Sequence, residues 1–333
     1  MNEHSETWQP TASLESLRQR AHLLRLIRAF FHARNVLEVD TPLLCGSTAT
    51  DPYLASLAVL NGDNNGNTKS YLQTSPEFCM KRLLAAGSGC IYQLGKVFRQ
   101  DEVGRNHNPE FTMLEWYRVG FSLPQLMDET TELVLSLHQA ISPQPAPTIS
   151  HFCYLELFTT HLGLNPHQCK TADLQVCVAN HINTYTNSQS PDLERDDCLN
   201  LLMSHVIEPK LPRGLVYITE FPIDQAALAV RTTNSNGDSV AARTELYWDG
   251  LELANGYQEL TNAVELRARF TADINRRVQL GLPELPMPEH LLQAMASGLP
   301  ECSGIALGVD RLLMRLLAKT HIEETISFPS IHA

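Results

Sequence analysis

The chain has 333 residues, 43% hydrophobic and 19% charged, with 25 Lys+Arg against 37 Asp+Glu and a formal net charge of -12. That length buries a core without disulfide or metal staples, and the composition excludes disordered, collagenous and coiled-coil classes. The acidic balance argues against non-specific nucleic-acid binding, a local basic cleft aside; with no apolar run of about 18 residues and no signal segment in the polar start at Met1, no membrane association and a cytoplasmic location are expected.

Residues 1–12 read as a tail. Apolar positions Leu14, Leu17, Ala21, Leu24, Ile27, Phe30 and Phe31 predict a helix over 13–35, with Arg18, Arg20, Arg25 and Arg28 on the wet side. Leu37–Leu44 alternates and meets Pro42, as an edge or interface strand does. The turn cluster Asn61–Asn67 separates Leu57–Leu60 from Ser70–Gln73 and predicts a hairpin. Ser75-Pro76-Glu77 signals a helix start, with the helix stopping at Gly87. Strands are expected near Cys90–Phe98 and Phe111–Val119, flanking a polar loop, then a helix over Leu123–Ile141 and the stiff connector Ser142–Pro147.

Residues 142–212 are expected to form a mostly helical region. Strands return at Gly214–Glu220, Thr244–Trp248 and Leu251–Tyr257, with Asp249-Gly250 as the turn between the last two. Helices are expected at 261–280 and 288–297, then a strand at Gly304–Gly308 and a helix over Asp310–Ala318. Hairpins with segregated helices indicate α+β, with a mostly antiparallel sheet. No glycine-rich dinucleotide or phosphate-loop motif is present. The eight cysteines contain no Cys-x-x-Cys pair and the thirteen histidines no ligand spacing, so free thiols are expected and no structural zinc.

Polar chemistry concentrates in three places. In Phe98–Tyr117 a strand ends in Arg99, a charged loop follows, and the returning strand carries Glu115 and Tyr117 on one face among apolar neighbours. A carboxylate there needs a partner or a ligand cation, the plain alternative being a solvated hairpin. In Glu245–Glu259, Glu252 is positioned to face Glu245 across the turn, an arrangement that suits Mg²⁺ beside phosphates; an ordinary exposed hairpin is the alternative. Asn255 and Glu259 differ by an even number and can share a strand face. In Cys302–Arg311, small residues allow close approach to a strand and Arg311 opens a helix, a weak signal alone.

These blocks, with Leu37–Pro42 before them, resemble motifs 1, 2 and 3 of the class II aminoacyl-tRNA synthetases, and Arg105–Tyr117 with Glu252–Glu259 resembles the lysine branch, over about Leu14 to Phe328. Lysyl-tRNA synthetases carry an N-terminal OB-fold anticodon-binding domain, for which no room is expected before motif 1 here, and usually have glycine where Ala306 stands. The segment Cys302–Arg311 is similar to the elongation factor P (R)-β-lysine ligase family, paralogues of those synthetases.

The resemblance implies a single class II catalytic domain over 13–330 that adenylates (R)-β-lysine with ATP and passes it to a lysine side chain of elongation factor P. It implies that Arg99 holds the carboxylate and α-phosphate and that Asp101, at a position usually glutamate, faces adenine. Arg311 would sit by adenine and the γ-phosphate, Phe111 on the other adenine face, and His107 near the phosphates. Glu245 and Glu252 would hold Mg²⁺. Glu115 and Glu259 would grip the distal ammonium with Tyr117 adding a hydrogen bond, Glu77 would face the nearer ammonium, and Asn255 would help hold the carboxylate. The Ala306 methyl is expected to crowd the α-amine position and favour the β isomer. A homodimer through the Pro42 strand and the preceding helix is implied, with no tRNA partner. The alternative is a compact lysine-activating enzyme whose acceptor is a tRNA or another carrier.

Overall fold

The structure is a computed structural model, and it describes residues 8–61, 68–100, 102–182 and 193–333. Contacts divide the chain into two compact units, 1–146 with 261–333, and 147–260.

The first unit opens with α1 (Leu14–His32), whose N-cap Ser13 side chain accepts from the Ser16 N–H at 3.0 Å. Leu23, Ile27 and Phe31, spaced four apart, form its buried stripe. β1 (Leu37–Glu38) pairs parallel to a later strand at the end of this unit's sheet. The alternating segment to Leu44 is not one strand. The chain turns away through Pro42, and β2 (Leu44–Cys45) joins β3 (Ala58–Asn61) and β4 (Thr68–Leu72) in a small separate sheet, because the proline has no N–H for a continuing ladder. β3 and β4 pair antiparallel as the expected hairpin, whose Asn-rich turn at 62–67 lies outside the described residues. Then come α2 (Glu77–Ala85), β5 (Ile91–Phe98), β6 (Glu110–Val119) and α3 (Leu123–Ile141).

The second unit holds β7 (Ile149–Cys153), α4 (Tyr154–Leu162), α5 (Thr171–His181), α6 (Arg195–Leu202), β8 (Leu215–Pro222), β9 (Arg231–Thr233), β10 (Ser239–Trp248) and β11 (Leu251–Gln258). Its strands run in the order β11-β10-β8-β7, with β9 also on β10 and only β7–β8 parallel. The segment read as mostly helical thus opens on a strand. Its helices pack Tyr154, Phe158, Leu174, Cys198 and Leu202 onto Val216, Ile218 and Tyr247 of the sheet.

The chain completes the first unit with α7 (Ala263–Gln279), α8 (Glu289–Gly298), β12 (Cys302–Gly308) and α9 (Val309–Leu316). There β5, β6 and β12 pair antiparallel. One face of these strands is apolar. Phe31 of α1 stacks on Tyr92 at 4.5 Å and meets Trp116 edge-on at 5.4 Å, while Leu114, Ile305 and Leu307 are buried on the same face. Burial of that order, about 1.5–3 kcal/mol per large apolar side chain, fixes which face turns to the helices. Period-two alternation then commits Phe111, Met113, Glu115 and Tyr117 to the other face. Each unit is thus α+β, its sheet flanked by helices and mostly antiparallel.

Candidate active site

In the first unit the face opposite the helices brings together Glu115 and Tyr117, two of the expected lysine contacts. Glu115 is 2% exposed, and each carboxylate oxygen receives a hydroxyl: Ser75 Oγ donates to Oε2 at 2.7 Å and Tyr117 Oη donates to Oε1 at 2.6 Å. Both carboxylate oxygens thus act as acceptors in this geometry. Ser75 Oγ also accepts the Glu77 N–H at 3.0 Å, tying the start of α2 to the same spot. Glu77 itself accepts from the fully buried Lys81 Nζ at 2.6 Å, so one of its two carboxylate oxygens is already engaged. On β12, Ala306 lies directly opposite Glu115 and Gly304 opposite Tyr117, so small residues floor the carboxylate.

The expected nucleotide contacts form two pairs in this unit. Arg99 stands at the end of β5, with its guanidinium 5.1 Å from the centre of the Phe111 ring and Nη1 3.3 Å from Glu102. Its Nε is buried and has no partner among the described residues, an unsatisfied donor that suits an anion. Arg311 donates from Nη2 to His107 Nε2 at 2.6 Å and from Nε to the Asn106 carbonyl at 3.2 Å. The loop between β5 and β6 therefore rests on the first turn of α9. Asp101 lies outside the described residues.

In the second unit Glu245 and Glu252 share a face, by a route that plain alternation misses. The two-residue turn Asp249-Gly250 has φ of 49° and 75°, as a type I′ hairpin requires. Tyr247 faces Glu252 and Leu246 faces Ala254, so Leu253 is an extra residue, a β-bulge. The residue opposite Glu245 is Asn255, not Glu252 as the sequence suggested. The bulge inverts side-chain parity, putting Glu252, Asn255 and Tyr257 on the face of Arg243, Glu245 and Tyr247.

Arg243 organises this face. It donates to Glu245 Oε1, to Asn255 Oδ1 at 3.1 Å and to the Gln225 carbonyl at 2.9 Å, while Tyr247 Oη donates to Glu245 Oε2 at 2.6 Å. Burial pushes the Glu245 carboxyl above the usual range; Arg243 pulls it back and the charge of Glu252 pushes it further up. Two like charges on one buried face suit a divalent ion, which takes one or two protein carboxylates and completes its shell with phosphate oxygens and water. Among the described residues no group of three or more His, Cys, Asp or Glu side chains is arranged to bind a metal alone. Glu259 follows β11, 2% exposed, its backbone bridged to Ala229.

Three residues that sequence reasoning passed over emerge here. Ser75 was visible only as a helix-start signal. Arg243 stands two residues before Glu245, and that i, i+2 Arg/Glu spacing on a strand was the available cue. Arg20 has the appearance of a wet helix position, yet its side chain is only 15% exposed.

Residues 5–332 match the family described as tRNA synthetases class II (D, K and N). The chain is 47% identical to an elongation factor P–(R)-β-lysine ligase of Vibrio cholerae, over 97% of each chain. It is 44% identical to one of Pseudoalteromonas translucida, over 96% of this chain and 97% of the relative. It is 42% identical to one of Salmonella gallinarum, over 97% of each.

Proposed function

This chain belongs to the class II tRNA synthetases of the D, K and N family, and on that footing we propose that it is the ATP-dependent ligase that attaches (R)-β-lysine to elongation factor P. In the first step the β-lysine carboxylate attacks the ATP α-phosphorus, giving β-lysyl-adenylate and pyrophosphate. In the second, a deprotonated lysine ε-amine of the acceptor attacks the adenylate carbonyl, an amide forms, and AMP leaves. The adenylate is already activated, so no covalent enzyme intermediate is needed.

What carries this proposal is the Ser75–Glu115–Tyr117 cluster. A buried, doubly hydrogen-bonded carboxylate above a small-residue floor offers a fixed anion for the distal ammonium of lysine. Glu77 takes the nearer ammonium with the charge that Lys81 leaves it. Arg99 brings the carboxylate and α-phosphate together, since its planar fork matches both anions and its Nε, without a partner among the described residues, supplies a donor. Phe111 offers a stacking face for adenine, and His107 with Arg311 meets the outer phosphates. Asp101 is proposed to face the adenine amino group.

Glu245 and Glu252 are the carboxylates that would hold Mg²⁺, and Arg243 with Tyr247 fixes the first of them in place. When bound, the ion neutralises charge on the departing pyrophosphate. Asn255 is assigned to the amino acid carboxylate and Glu259 to its ammonium. The Ala306 methyl, in register with Glu115, disfavours the α-amine and leaves room one carbon further along. A homodimer through α1 and the β1 edge is proposed; a monomeric mass by light scattering refutes it.

The deciding experiment incubates the full chain with ATP, (R)-β-lysine and elongation factor P. One added β-lysyl group on the acceptor, with AMP and pyrophosphate released, supports the proposal. Absence of β-lysine-dependent pyrophosphate exchange overturns it. Exchange without protein transfer, but with β-lysine on a tRNA, favours a compact carrier-charging enzyme. No helix among the described residues is long and apolar enough to cross a membrane.

A further inference from the structure

Arg20 lies on α1, well before motif 2 and motif 3 in the chain, yet its guanidinium meets both. Nη1 donates to Asp310 Oδ1 and to the Thr325 carbonyl at 3.3 Å, and Nη2 donates to Thr112 Oγ1 at 2.6 Å. Asp310 is 1% exposed and its other oxygen accepts the Thr112 N–H at 2.6 Å. One half-buried cation and one buried anion thereby clamp β6 to the first turn of α9.

Each clamped residue adjoins a proposed nucleotide contact. Thr112 follows Phe111 and Asp310 precedes Arg311. The third arm, to Thr325, leads to the loop after β5. The Thr325 N–H and Oγ1 both donate to the Ile322 carbonyl, at 2.9 and 2.7 Å. The Ile322 N–H donates to the Arg105 carbonyl at 2.9 Å, and Arg105 Nε donates to the Thr320 carbonyl at 2.7 Å. Arg105 is two residues from His107. Phe111, Arg311 and His107 are therefore all one or two residues from a backbone anchored, directly or through this short chain, on a single guanidinium.

We propose that Arg20 is a positioning residue for ATP, setting the spacing of Phe111, Arg311 and His107 without touching the nucleotide. The proposal rests on the ATP assignment above. A guanidinium is required because its fixed fork spans Asp310 and Thr112 at once; an ammonium keeps the charge and meets one of them. Misplacement of aligned groups by about 1 Å costs on the order of 100-fold. The expected signature is weakened ATP with unweakened amino acid, because Glu115, Ser75 and Tyr117 hang from other contacts.

The test compares Arg20→Lys, Arg20→Gln and Asp310→Asn with the native chain, and Arg18→Gln as control, since Arg18 is exposed and pairs locally with Glu15 among the described residues. ATP affinity is read by titration calorimetry and KM for each substrate by pyrophosphate exchange, with melting temperature alongside. Arg20→Lys is expected to raise the ATP Kd and KM by about 10- to 100-fold and to leave KM for β-lysine within about twofold at an unchanged melting temperature. Asp310→Asn is expected to match it in ATP Kd and KM, at a lower melting temperature because it leaves the Arg20 charge without its carboxylate, and the double variant to be no worse for ATP than either single one. Native ATP affinity in Arg20→Lys overturns the proposal. So does parallel loss for both substrates that tracks a falling folded fraction. If the native chain binds no ATP, the nucleotide assignment itself fails. If it binds ATP but β-lysine supports no exchange, the amino acid assignment fails while the calorimetric comparison still decides on Arg20.

Discussion

Replacing Ser75 by alanine removes one oxygen and two hydrogen bonds. The first is the donation to Glu115 Oε2 at 2.7 Å, from a neutral hydroxyl to a carboxylate that is 2% exposed. Hydrogen bonds to buried charges are worth about 1.5–3 kcal/mol. Lost from the site that takes the distal ammonium, this corresponds to a fall of roughly 10- to 150-fold in kcat/KM for β-lysine. The second is acceptance of the Glu77 N–H at 3.0 Å, whose loss costs about 0.5–2 kcal/mol of stability, as at other helix starts. The amino acid parameter should collapse, the melting temperature should drop by a few degrees, and KM for ATP should hold within about twofold. Tyr117→Phe removes the donor on Oε1 and should act in the same direction, with the double variant losing less than the sum. Pyrophosphate exchange at varied β-lysine and fixed ATP reads all of this. A Ser75→Ala enzyme within threefold of native on β-lysine, or one equally impaired for ATP, would refute the role given to Glu115.

Ala306→Gly removes the methyl beside Glu115 and should shift the ratio of kcat/KM for β- over α-lysine toward the α isomer by about 1–3 kcal/mol; an unchanged ratio sinks the steric account. Arg243→Met leaves Glu245 charged and buried without its guanidinium and should cost about 3–5 kcal/mol in urea denaturation, with Glu245→Gln in the same background recovering most of it. A single-variant loss below about 1 kcal/mol contradicts the view that this ion pair organises the hairpin. Burial holds the His138 imidazole below its ordinary value of 6.5. The unfolded chain therefore binds that proton more readily, and the contribution is present above about pH 6.5 and lost as pH falls through the lowered value. Melting temperature should decline on acidification below about pH 6.5 and decline less in His138→Gln; equal slopes would exclude His138 as a source.

Local signals carried much of the fold. The apolar spacing marked α1, Pro76 and Gly87 bounded α2, and the helix expected at Leu123–Ile141 is α3 residue for residue. Strand limits moved by one or two residues, except that β10 begins at Ser239, five residues before the expected Thr244. The failures share a cause, since each depends on contacts that no window of sequence contains. β7 lies in a stretch whose neighbours are helical, and it forms because β8 offers a parallel edge. The segment at Leu37–Leu44 divides between two sheets because strands distant in sequence pair with each end.

The site divides along the same line. Glu115 and Tyr117 were legible because a carboxylate and a phenol two apart on an apolar strand have one common face. Ser75 was not, because its significance lies in a contact forty residues away. Arg20 misled, because helical spacing gives the direction of a side chain and not its reach. An arginine at the margin of the wet face extends far enough to be partly covered and to reach Asp310, Thr112 and Thr325.

Leu253 is a spare link in its hairpin. Substituting it with another apolar residue alters packing at one point, and removing it leaves Glu252 opposite Tyr247 and Asn255 opposite Glu245, because the pairs on either side of it are already in register. Tolerance at this position should therefore be wide, and an in-frame single-codon deletion there should straighten the strand while keeping Glu252, Asn255 and Tyr257 on the side of Arg243, Glu245 and Tyr247.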